Sequence, residues 1–169
     1  ATTFKNNSSY TGSTIYNDGT ITFGGETTFI SNEGRSGGAI SNYGDIDFLS
    51  DATFTNNSAE YSGGAIYNEY GTITFNSGVT FANNTLTGLA STHGGAIYNS
   101  GDIVFSGDVL FSKNTSTGDG GAIGNSGNIT FASNVIFNGN SSLSYDDTYG
   151  DYRHTWGGAI DNNGTITFD

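Results

Sequence analysis

The sequence predicts an all-β fold: a right-handed, single-stranded parallel β-helix. It should be a three-sided solenoid of about six coils, with residues 1–169 as a single domain. Three observations predict it. The pattern G-G-A-I recurs at Gly37, Gly63, Gly94, Gly120 and Gly157, each copy running on to an Asn, and a degenerate copy spans Ser13–Asn17. Each copy is followed by a second short apolar run, G-x-I-x-F, and preceded by a third motif, F-x-x-N. One unit of three short strands, repeated through the chain, is the sequence form of a solenoid.

The first side takes Ile15, Ile40, Ile66, Ile97, Ile123 and Ile160 inward. A second Ile follows six residues later in each unit, seven in the one that carries Tyr70, and a Phe comes two residues after it: Phe23, Phe48, Phe75, Phe105, Phe131 and Phe168. Spacing of two is the strand period, whereas a helix needs steps of three and four sustained over ten or more residues. The third side holds Phe4, Phe29, Phe54, Phe81, Phe111 and Phe137. Ala52, Val79, Val109 and Val135 add a smaller inward ladder beside it. The constant steps require a chain that turns the same way at each corner. Strands then stack in parallel at about 4.8 Å, giving a rod of roughly 29 Å. The crossover rule for parallel strands favours the right hand.

The repeated polar positions have structural roles. Gly38 and Gly64, two residues before Ile40 and Ile66, should point inward near a corner, and Gly37 and Gly63 should adopt positive φ at the bend. Asn42 and Asn68 belong to one Asn ladder. Asn57, Asn84 and Asn114, three residues after Phe54, Phe81 and Phe111, belong to another, in which stacked amides bond along the rod. N-x-[ST] glycan-acceptor motifs occur at Asn7, Asn83 and Asn114. Outward Thr-x-Thr rows would suit ice binding, but Asp45, Asp47, Asp102 and Asn128 interrupt them. Tyr16, Tyr67 and Tyr98 form a broken aromatic column able to stack on sugars.

Composition excludes several partners. Four Lys and Arg against 16 Asp and Glu give a net charge of -12, which opposes nucleic acid and anionic lipid. No Cys is present, so disulfides and thiolate metal sites are absent. No apolar stretch approaches 20 residues, so direct membrane insertion is not expected. Glycan hydrolysis would need a carboxylate pair, for which Asp45 and Asp47 are the candidates. The few cations build no basic cleft for an acidic polysaccharide, and the chain reads as a non-enzyme without a cofactor.

Specificity should reside where the repeat is interrupted. The segment between F-x-x-N and G-G varies in length, and 141–156 is the longest insertion. Its Tyr145, Asp147, Tyr149, Asp151, Tyr152, Arg153, His154 and Trp156 are the candidate ligand-binding residues, rich in the Tyr, Trp and Arg of interface hot spots. Loop 85–93, with Leu86, Leu89 and His93, leaves from the same edge. Asp146, Asp147 and Asp151 offer a site for calcium, although their spacing is not that of an EF-hand.

G-G-A-I at 37–40, 63–66, 94–97, 120–123 and 157–160, with F-x-x-N from Phe4–Asn7 to Phe137–Asn140, resembles the repeats of the chlamydial polymorphic outer membrane proteins and related bacterial autotransporter passengers. The resemblance covers Phe4 to Asn162. It implies parallel β-helices displayed outside the cell or on the bacterial surface, acting as adhesins. Members of that family are typically longer and end in a membrane β-barrel, and no segment here alternates over the ten or so residues of a barrel strand. The expected function is thus a surface or secreted adhesin module whose partner is a host-cell or bacterial surface protein or glycan. The alternative is a structural spacer, or a fibre subunit that self-associates through its uncapped ends. An ice-binding protein or a polysaccharide-degrading enzyme stands behind both. The chain starts inside a strand, so it reads as a mature or excised piece.

Overall fold

The computed structural model describes residues 1–88, 93–143 and 155–169. It is a parallel β-solenoid of about five turns, and the described residues include no helix. The F-x-x-N motif opens from a six-stranded sheet of Thr2–Lys5, Thr27–Ile30, Ala52–Thr55, Val79–Ala82, Val109–Ser112 and Val135–Asn138. The Ile of G-G-A-I begins the strands of a second six-stranded sheet: Ile15–Asn17, Ile40–Asn42, Ile66–Asn68, Ile97–Asn99, Ile123–Asn125 and Ile160–Asn162. The I-x-F runs form a third: Thr20–Phe23, Asp45–Phe48, Thr72–Phe75, Asp102–Phe105, Asn128–Phe131 and Thr165–Phe168. Pairing is parallel and in register, so Ile40, Ile66 and Ile97 stand above one another, as do Phe54, Phe81 and Phe111.

A fourth sheet joins the three expected sides. Its five strands are Glu33–Ser36, Ser58–Ser62, Thr85–Leu86, Thr115–Ser116 and Ser141–Ser142, and in the opening turn it shrinks to a single bridge, Ser8 to Glu33. It lies in the variable segment after F-x-x-N. Its one inward position is Gly34, Ala59, Leu86 and Ser116 in successive turns.

Two phenylalanine ladders fill the interior. Within the ladder through Phe54, Phe81 and Phe111, successive rings stack at 4.8 to 5.0 Å. The ladder through Phe48, Phe75 and Phe105 stacks at 4.7 to 5.0 Å. Rings of one ladder meet those of the other edge to face, at 5.9 to 6.5 Å. Both arrangements suit the aromatic quadrupole, and each pair adds about 0.5–1.5 kcal/mol beyond area burial.

The polar ladders are as ordered as the apolar ones. Each buried Asn of F-x-x-N uses its amide fully. Asn84 Oδ1 accepts the backbone and side-chain N–H of Asn57, and Asn84 Nδ2 donates to the Phe54 carbonyl and to Asn114 Oδ1. In the second ladder Asn42 Nδ2 donates to Asn68 Oδ1 at 2.8 Å, and Asn68 Nδ2 to Asn99 Oδ1 at 2.7 Å. Among the described residues no buried side-chain polar atom lacks a partner. Burial of Asn114 removes it as a glycan acceptor, because its amide is committed to the ladder. Asn7 and Asn83 remain exposed.

The corner glycines behave as their positions require. Gly63 has φ of +60°, and Gly64 faces the Gly95 and Thr85 carbonyls so closely that a Cβ has no room. A second left-handed column is not apparent from the motif. The residue before each F-x-x-N asparagine has positive φ in all six copies: Asn6, Ser31, Asn56, Asn83, Lys113 and Gly139. Tolerance of left-handed backbone is therefore used one position before the ladder Asn, which itself supplies hydrogen bonds.

Candidate functional site

Of the insertion, residues 141–143, 155 and 156 are described. Tyr145, Asp146, Asp147, Tyr149, Asp151, Tyr152, Arg153 and His154 lie outside the described residues, as does Leu89. Trp156 is placed at the corner before the last G-G step, with its side chain exposed. Its backbone holds that corner to the previous turn: its N–H donates to Asp119 Oδ1 at 2.7 Å, and its carbonyl accepts from the Gly120 N–H at 2.9 Å.

Asp119 belongs to a column that the motif does not reveal. The residues immediately before G-G are Ser36, Ser62, His93, Asp119 and Trp156, and bridges join Ser62 to His93 and His93 to Asp119. This column faces the outward position of the G-G-A-I sheet, occupied in turn by Tyr16, Ser41, Tyr67, Tyr98, Gly124 and Asp161. At Gly124 the outer row has a gap. A Cβ there would lie 2.6 Å from the His93 Cβ, so a side chain at this position would force His93 to shift. The imidazole packs against Tyr98, with ring centroids 6.0 Å apart.

Seated there, His93 meets two carboxylates from two different turns. Its Nδ1 lies 3.6 Å from Asp119 Oδ2 and 3.7 Å from Asp161 Oδ2, beyond the usual 2.7–3.2 Å of an N–H···O bond. All three side chains are partly buried. Partial burial and the neighbouring Asp119 charge push the Asp161 carboxyl above its ordinary range, with His93 pulling the other way. The cluster could hold a metal ion; its residues are 26 and 42 positions apart, and no motif links them.

The tyrosine column is continuous where the sequence shows a break. Tyr43, from the turn after Asn42, fills the gap at Ser41, its ring 5.3 Å from Tyr16 and 6.2 Å from Tyr67. Tyr67 and Tyr98 stack at 5.4 Å with their planes 14° apart. Their faces are turned toward each other, which leaves edges rather than faces for a sugar. The Tyr67 hydroxyl donates to Glu69, and burial together with that bond raises its pKa.

Asp45 and Asp47 stand on the outer face of the I-x-F sheet, flanked in register by Thr20 and Thr72 and by Thr22 and Thr74. The threonine row is interrupted as the sequence indicates, and Asn128 is tied to Asp102 by a 2.8 Å hydrogen bond.

The sequence matches a family model, the Chlamydia polymorphic membrane protein repeat, at residues 51–69, 78–100, 108–126 and 128–163. The chain belongs to the Chlamydia polymorphic membrane protein repeat family. Comparison with curated proteins and with solved structures gave no match. Polymorphic membrane protein repeats suggest a surface-exposed, passenger-like β-helix module at the outer membrane or cell surface. With the solenoid fold they also suggest a non-enzymatic surface protein.

Proposed function

We propose that this chain is a displayed section of a bacterial adhesin passenger, and that its variable edge contacts a protein or glycan on a host or neighbouring cell. One observation carries the reading. Turn after turn, three sheets keep their inward Ile and Phe in register, while the largest changes of length fall between the F-x-x-N Asn and the G-G step. A scaffold with a repeated core on three sides and an edge of varying length divides stability from recognition, as repeat proteins do. The aromatic and charged residues of 141–156, Tyr145, Tyr149, Tyr152, Arg153 and Trp156 among them, are the contact set. The net charge of -12 favours neutral or basic partners over anionic ones.

The test replaces 144–154 with a short Gly-Ser linker and measures adhesion of fluorescent beads carrying each protein to cultured epithelial cells. Adhesion should fall at least tenfold while the far-UV β signal and melting temperature persist. Undiminished adhesion by the deletion protein would refute the assignment of that edge and favour a spacer role.

A further inference from the structure

The cluster at the G-G corner has donors, spacing and a built seat that no repeat requirement explains. Core packing, amide ladders and glycine corners are complete without His93, Asp119 and Asp161, since other turns place Ser36, Ser62 or Trp156 and Tyr16, Ser41 or Tyr67 at the same positions. The donor atoms of the three lie within 4.8 Å of one another. The separations of 3.6 and 3.7 Å from His93 Nδ1 are too long for direct hydrogen bonds. They are close to the edge of a metal tetrahedron, about 3.3 Å for metal–ligand bonds of about 2.0–2.1 Å.

The surroundings orient the donors. The Trp156 N–H occupies Asp119 Oδ1 at 2.7 Å while Asp119 Oδ2 faces His93. Asn163 Nδ2 donates to Asp161 Oδ2 at 3.3 Å. The Gly124 notch and the Tyr98 ring fix the imidazole. Partners of this kind, which hold a ligand without touching the ion, accompany metal sites. The Asp119 and Asp161 carboxylates beside His93 gather negative charge at one corner, which a cation would balance.

We propose that His93, Asp119 and Asp161 bind a divalent transition-metal ion, Zn2+ being the ion that their donor set and spacing fit, with solvent completing the coordination. Imidazole nitrogen with carboxylate oxygen suits zinc. Calcium takes six to eight oxygens, and this corner supplies an imidazole and two carboxylates. Because the ligands come from different turns, the ion would clamp successive turns at the variable edge.

Isothermal titration of chelator-treated protein with ZnCl2 tests the proposal. One site should appear, with melting temperature rising several degrees at saturation, and CaCl2 should bind at least tenfold more weakly. His93→Ala and Asp161→Asn should each weaken zinc binding more than tenfold while the metal-free variants keep the β signal. Gly124→Ala, which touches no donor atom, should also weaken it by displacing His93. His154→Ala, at the chain's other histidine, should retain a measurable zinc site. Absence of a zinc heat up to millimolar concentration would overturn the proposal. So would undiminished binding by His93→Ala and Asp161→Asn, or equal affinity for calcium.

Discussion

Replacing Asn84 with alanine removes four hydrogen bonds from the middle of the rod. The remaining partners are affected unequally. Asn114 Oδ1 keeps the bond from the Asn84 backbone N–H. The Asn57 backbone N–H and one Asn57 Nδ2–H lose their acceptor, and both are buried. An unsatisfied buried donor costs about 1–3 kcal/mol, so Asn84→Ala should cost about 2–6 kcal/mol. The lower part of that range applies if a water enters the space left by the amide. Asn7 is the internal control. It is exposed, it donates to Asn32 Oδ1, and its removal orphans nothing because the Asn7 backbone N–H still reaches that oxygen. Asn7→Ala should cost about 0.5–1.5 kcal/mol. Urea unfolding followed by far-UV circular dichroism gives the two midpoints, and hydrogen exchange at the Asn57 amide reports the orphaned donor directly. Equal costs for the two variants, or unchanged Asn57 exchange in Asn84→Ala, would refute the reasoning that the ladder contributes through saturation of buried groups.

Gly64→Ala should cost more than about 4 kcal/mol or prevent folding, because its Cβ would lie 2.8 Å from the Thr85 carbonyl oxygen and closer still to that of Gly95; Gly158→Ala, in the same column but with open space at the Cβ, should shift the melting temperature little. Lys113→Gly should stabilise by about 0.5–1 kcal/mol in thermal or urea unfolding, since the left-handed penalty of about 1–2 kcal/mol exceeds the entropic cost of glycine at a residue with φ of +54°. Asp161→Asn, in metal-free buffer, should raise the melting temperature at pH 7. A carboxyl whose folded pKa is raised penalises folding only once ionised, so the gain should vanish as pH falls below the ordinary carboxylate range; a gain that persists at pH 3 would point to packing instead.

The fold was legible because three sides of each turn are written in residues that only one arrangement satisfies. Ile66, Ile73, Phe75, Val79 and Phe81 all face inward at fixed steps, and any slip in register would expose them. The fourth side was not legible, because its strands are two to five residues long and its inward position changes from Gly34 to Ala59, Leu86 and Ser116. Such short strands carry no period, and only stacking between their neighbours defines them. Tyr43 escaped for a related reason: it closes the tyrosine column from a turn, one register off the strand positions. His93, Asp119 and Asp161 come together across turns of unequal length, so fixed sequence spacing cannot find them. Aligning the turns on G-G and reading the column before it would have placed His93 above Asp119.

The direction of the hydrogen bonds has a mechanical consequence. Backbone bonds and both asparagine ladders run along the rod, from one turn to the next. A force pulling the two chain ends apart therefore loads the bonds between turns in sequence at the outermost turn, and the rod yields by peeling rather than by shear of whole sheets. Each peeled turn frees 25 to 37 residues, the spans from Asn7 to Asn32 and from Asn125 to Asn162, or roughly 90–130 Å of extended chain at about 3.5 Å per residue. Tethered between two surfaces, the molecule would lengthen in repeated steps of that size, dissipating load one turn at a time while the turns beyond stay folded.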